Sequence, residues 1–193
     1  MRTITVDRTS RGSQALPRPR TLIHPGAFNP VRIHSRSARQ GRHFRLSLRP
    51  GASLHDALVG ALAGAGVASA SMTLLGGVFS HLDYCTAPPD PERHRVVAYT
   101  EPISAGPAYL IFGNATLGKA DGGGALVHCH AAFCDERGEP LGGHIIAQTT
   151  IIGPVPVPVL VTALDGIELR ATYDAETNLR LLQPHGAQDH DAA

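Results

Sequence analysis

Three histidines raise the first chemical question. In VHCHAAFCDERGEPLGGH, residues 127–144, His128 and His130 stand two apart in a segment that reads as a strand. Alternate strand side chains project from one face, so both rings leave the same surface. DERG then reverses the chain, and Gly142-Gly143 deliver His144 at the start of the next strand, from which antiparallel pairing would bring it back toward the first two. Paired glycines also let the backbone come close without a Cβ in the way. Three imidazoles on one surface can hold a divalent metal, zinc first, and leave a fourth position for water or an exogenous ligand. That open position marks a catalytic or regulatory site rather than a closed structural one. Neutral imidazole also suits nickel, copper and iron, so the site is better defined than the element. His-x-His alone is equally what half-buried histidines produce in a chain with eleven of them. The Gly-Gly-His across a tight turn is the more specific part.

Other polar side chains are weaker candidates. Glu101 and Tyr109 are available as acid–base or hydrogen-bonding partners of an open site, although no spacing singles them out. Cys134 would share a face with His128 and His130 if the strand stays regular that far. His81, alone on a strand, reads as a satisfied surface or core residue, and His24 belongs to the turn-forming His-Pro-Gly. Ser80 and Ser104 have no Gly-x-Ser-x-Gly context. The Gly122–Gly124 loop lacks the spacing of a phosphate cradle.

The elements that must position these residues are mostly strands. HFRLSLR, residues 43–49, alternates and is ended by Pro50-Gly51. Ser53 is a good N-cap for a helix over LHDALVGALAGAG, with Asp56 in a capping-box variant and Gly64 and Gly66 closing it. Strands are then expected over Val67–Leu75, Val78–Cys85, Arg95–Tyr99, Ala108–Leu117, Ala125–Cys134, His144–Ile152 and Ile167–Tyr173. Gly76-Gly77 suggests a bulge or sharp bend. Prolines 154, 156 and 158 fall at every second residue, which predicts an edge strand or a polyproline stretch rather than a central strand. One helix among about seven strands is an α+β layout with a compact, mostly antiparallel sheet.

The 193 residues suffice for one domain with a sizeable core. At 42% hydrophobic and 17% charged the composition is globular. No apolar run is long enough to span a membrane and no apolar leader opens the chain, so a cytoplasmic location is expected. Three cysteines without a Cys-x-x-Cys spacing argue against a disulfide framework. The net charge of +1 conceals an asymmetry: residues 1–49 hold eleven arginines and one acid, a net +10, and the remainder is net −9. A basic arm of this kind can contact a polyanion, its own body or a neighbouring subunit. We divide the chain into a basic, partly disordered arm over residues 1–42, a domain over 43–183 and a disordered tail over 184–193.

The run from residue 43 to about 182 resembles the PPC domain, the plants and prokaryotes conserved module. The resemblance is carried by the basic strand leading to PGASL, by GNATL at 113–117, by VHCHAAFCDERGEPLGGH and by the closing LRATYDAETNLRLL. Asp135, Gly138, Gly142, Gly143 and His144 fit its central motif. The resemblance implies a homotrimer, His128, His130 and His144 as metal ligands, and Arg170 and Asp174 as framework or pocket-edge positions, with Arg170 a possible site partner. The proline-rich segment and the long arm depart from the pattern. The Arg-Gly-Arg-Pro hook of plant relatives is absent, so DNA binding is not inherited from the likeness. The expected function is therefore a metal-dependent module that binds a small molecule or partner and acts in regulation. A metal-dependent hydrolase or lyase, and a DNA-binding regulator using the arginine-rich arm, are the alternatives. Whether the protein is an enzyme is not readable from these residues.

Overall fold

Residues 22–31 and 34–186 are described in the computed structural model. The elements run β1 (Arg42–Leu48), α1 (Leu54–Gly64), β2 (Ala70–Leu74), β3 (Gly77–Cys85), β4 (Ile103–Lys119), β5 (Ala125–Asp135), β6 (Pro140–Ile145), β7 (Ile151–Ile152), β8 (Val157–Ala163), β9 (Ile167–Asp174) and β10 (Leu179–Gly186). The expected α+β architecture is present, with one helix among the described residues and a sheet whose pairings are antiparallel apart from a single β4–β9 contact.

Local chemistry accounts for the helix. Ser53 adopts an extended backbone and its side chain accepts from Asp56 N at 3.0 Å, satisfying one of the free amides of the first turn. At the other end Gly66 takes φ +65°, Val67 N donates to Leu62 O and Gly66 N to Ala63 O, the paired bonds of a glycine-terminated helix. Leu54, Leu58 and Leu62, spaced by one turn, are fully buried, each worth about 1.5–3 kcal/mol of burial. They join Phe79, Leu82, Leu110, Phe133, Ile152 and Val159 in one core.

The long strand β4 organises the sheet. β5 runs along it from Ala108 to Lys119, whereas β2 and β3 follow each other along it, pairing at Gly113–Leu117 and Ile103–Leu110. Gly76 and Gly77, both at positive φ, make the bend between them, as the sequence suggested. A Cβ on Gly77 would stand 2.7 Å from Val157 Cγ2. β5 pairs β6, and β6 returns to the end of β3, so β3, β4, β5 and β6 close a ring.

Several expectations are corrected. β8 is not an edge strand: it lies between β1 and β2. Pro158 is tolerated there because it falls one residue beyond the β2 ladder, where its carbonyl accepts from Leu75 N and no amide is called for. Residues 95–99 form no strand, only a bridge between Pro89 and Val97. The segment expected as one strand over His144–Ile152 is split by a turn, so His144 lies near the end of β6 rather than at the start of a strand. β10 continues to Gly186, three residues into the segment read as tail, and its Pro184 sits on a strand that among the described residues pairs with β9 alone. Residues 1–21 of the arm and 187–193 of the tail lie outside the described residues.

Residues 22–31 of the arm pack on the body. Glu176, in the turn between β9 and β10, is only 4% exposed, and its carboxylate accepts from Asn29 N at 2.9 Å and meets His24 Nδ1 at 2.8 Å. Gly26 N donates to Glu176 O, and a Cβ on Gly26 would overlap Ala175 O at 1.7 Å. The His-Pro-Gly segment therefore docks so closely that only glycine fits.

Candidate metal centre

Strand register brings the three histidines together. His130 pairs directly with His144 across β5 and β6, and His128 is two residues further along the same face of β5. The glycines before His144 are used for close approach: Cβ atoms on Gly142 and Gly143 would stand 3.0 Å from Ala131 O and 2.6 Å from Cys85 O. The intervening strand positions Cys129 and Phe133 point to the opposite face and are fully buried, so β5 is anchored by its core side while its histidine side stays accessible. Burial pushes the Cys129 thiol up to about 12, which keeps it protonated and out of any ligand set.

One ligand nitrogen from each ring lies within 4.8 Å of the others, and His128 Nε2 and His130 Nε2 are 3.0 Å apart. Nitrogens sharing a tetrahedral zinc at about 2.0–2.1 Å stand roughly 3.3 Å from one another. The first pair is therefore close to ligand spacing, and small ring rotations bring in the third. Ring centroids of His128 and His144 are 4.7 Å apart, and those of His130 and His144 5.3 Å. His144 Nδ1 is buried without a hydrogen-bond partner, a state that costs about 1–3 kcal/mol. Burial, then the neighbouring histidines His128 and His130, push the His144 imidazole down to about 4; burial, then His130, lower that of His128. Both rings are thus neutral near pH 7, the form a metal requires. A neutral three-nitrogen set of this kind fits a divalent transition-metal ion.

Tyr99 was not foreseen. Its ring centroid is 5.4 Å from that of His144, and it sits in an irregular segment where the sequence suggests the end of a strand. Thr100 N donates to Thr86 O at 2.9 Å, which ties this segment beside Cys85, the residue paired with His144. A cavity of about 390 Å3 opens beside His128 and is lined in part by Tyr99, Thr116, His128 and Arg180. Thr116 and Arg180 lie in the GNATL and LRATYDAETNLRLL segments without having been singled out there, and Tyr99 lies in none of the motifs.

The other candidates are placed elsewhere. Tyr109 pairs with Cys134, four residues along β5 from His130 and so about 13 Å distant along the strand, and its ring is largely exposed. Glu101 is exposed in the lead into β4. Arg170 forms an ion pair with Glu168, which also holds Lys119 at the base of β4. Asp174 accepts from Thr177 N and so closes the β9–β10 turn. His81 is paired with Asp83 at 3.0 Å.

An antiparallel sheet closed around β4, one capped helix and a convergent three-histidine group define a small α+β domain with a candidate metal centre. Residues 35–163 match the Plants and Prokaryotes Conserved (PCC) domain, and the chain belongs to that family. Solved structures share the fold. A metal-containing protein from Archaeoglobus fulgidus aligns with TM-score 0.60 at 18% identity, covering 78% of this chain and 98% of that one. A plant- and prokaryote-conserved protein from Pyrococcus horikoshii aligns with TM-score 0.60 at 16% identity, covering 77% and 97%. A protein from Ralstonia eutropha JMP134, provisionally named as DNA-binding, aligns with TM-score 0.58 at 19% identity, covering 72% and 88%. No curated protein matches the chain in sequence. No described helix is long and apolar enough to cross a membrane.

Proposed function

We propose that this protein is a metal-dependent binding and regulatory module in which His128, His130 and His144 hold one divalent ion, zinc, with its fourth position open to a small ligand. The observation that carries the reading is the convergence of three imidazoles, one ligand nitrogen of each within 4.8 Å of the others. The metal-containing fold relative from Archaeoglobus fulgidus supports it. The ion would supply positive charge and a Lewis-acid position. The chain's residues do the rest: β5 and β6 fix the rings, and Tyr99 walls one side. We place the module in a homotrimer, as the family resemblance implies.

Elemental analysis of purified protein, followed by zinc titration of the metal-free form, tests this. One zinc per chain is expected, lost in His128→Ala/His144→Ala without loss of the far-ultraviolet circular dichroism spectrum. Full-occupancy zinc retained in the double variant would sink the assignment.

A second reading, DNA association through the arginine-rich arm, is favoured by the net +10 over residues 1–49. The DNA-binding name of the relative from Ralstonia eutropha JMP134 points the same way. It predicts duplex affinity that falls steeply between 50 and ~200 mM salt. The first reading predicts metal binding indifferent to deletion of the arm.

A further inference from the structure

The cavity beside the histidines has a chemical character of its own. Its floor is Thr116 on β4 with Leu126 and His128 on β5, which share one face because His128 stands opposite Thr116 and two residues from Leu126. Its roof is the β9–β10 hairpin, contributing Leu169, Ala171 and Leu182. The roof is seated where a Cβ on Gly118 would meet Leu169 O at 2.6 Å and Leu182 Cδ2 at 2.8 Å, so contact with β4 closes that end. At about 390 Å3 the space is at the lower end of the ~300–1,000 Å3 typical of small-molecule sites, which limits the occupant to a modest size. Among the described residues no carboxylate lines it, and the one full charge there is Arg180, bound to Asp121 at 2.7 Å.

An apolar chamber with a metal position at its edge selects for two properties at once. Three neutral imidazoles leave a bound dication with its full charge, which favours an anionic oxygen in the open position. The leucines favour hydrocarbon, at up to about 0.8 kcal/mol for each buried methylene. We propose that this cavity binds a small monocarboxylic acid with an apolar body. Its carboxylate completes the metal's coordination beside His128, and its chain lies against Leu126, Leu169 and Leu182. Tyr99 and Thr116 offer hydroxyls to the second carboxylate oxygen. The assignment rests on the metal reading and adds the class of ligand.

Calorimetry on the full chain tests it, with zinc stoichiometry measured first. Acetate, hexanoate and hexanol are titrated into the zinc-loaded protein, and hexanoate into the metal-free protein. Full burial allows roughly fourfold per methylene, so hexanoate should bind at least about thirtyfold tighter than acetate. Hexanoate should also exceed hexanol by tenfold or more, and lose that margin without zinc. Ala171→Leu, which fills the roof, should weaken hexanoate about tenfold, and Leu126→Ser provides the same test should the first variant fold poorly. Zinc bound one per chain with no gain from acetate to hexanoate would overturn the cavity assignment and leave the metal reading standing. Hexanol equal to hexanoate, or hexanoate unaffected by zinc, would overturn the carboxylate-to-metal contact. Failure to bind zinc at all would remove the metal reading itself, and the carboxylate assignment with it.

Discussion

At His144 the imidazole is held down to about 4 against an ordinary value of 6.5, first by burial and then by His128 and His130. Its folded form takes up fewer protons than the unfolded chain between those values, and the lowered His128 acts the same way. In the metal-free protein this contribution to stability should therefore be fully present above about pH 6.5 and be lost as the pH falls toward 4. A urea midpoint lower at pH 5 than at pH 7 is expected, with the difference reduced in His144→Gln; an unchanged midpoint would contradict it. Gly143 makes a second residue-scale prediction. A Cβ there would stand 2.6 Å from Cys85 O, so Gly143→Ala should push β6 away from β3. Overpacking of this kind costs about 1–3 kcal/mol, and zinc affinity should fall with it. The histidines were legible in the sequence because strand alternation and one tight turn are local rules. Tyr99 was not, because its approach to His144 depends on the long-range Thr86–Thr100 contact, which no local pattern specifies.

The same division separates the elements that sequence patterns describe from those they miss. Helix α1 is specified by its own cap, stripe and terminal glycine, all within residues 53–67. Ser53→Ala should accordingly lower stability by about 1 kcal/mol, read from the denaturation midpoint, with zinc stoichiometry unchanged. β8 was misjudged because its centrality depends on β1 and β2 arriving on both sides, which no local proline pattern reveals. β10 was missed for a related reason: its burial pattern lacks alternation, and pairing with β9 alone recruits it. The turn joining them also holds the arm. Gly26→Ala, with its Cβ aimed at Ala175 O, should release residues 22–31 from Glu176. Hydrogen exchange should then speed across that segment while the amides of β4 and β5 remain protected; protection retained in residues 22–31 would show that the docking survives.

For the molecule as a whole, the surface has an apolar concentration that the fold leaves uncovered. Around the bulge in β4, where the β5 register slips between Leu110 and Phe112, Tyr109, Ile111 and Phe112 are 60%, 51% and 48% exposed. Leu75, beside Gly76 and so next to the Ile111 carbonyl, is 45% exposed. Large apolar side chains gathered at one place, rather than scattered, mark a contact surface. The histidine cluster, by contrast, is completed within a single chain, since His128, His130 and His144 all come from β5 and β6. Assembly and metal binding should therefore separate. We expect wild-type protein to sediment as a trimer and Ile111→Glu/Phe112→Glu to shift it toward the monomer while retaining one zinc per chain. A variant that stays trimeric would move the interface elsewhere, and one that dissociates with loss of zinc would show that a neighbouring subunit helps hold the ion.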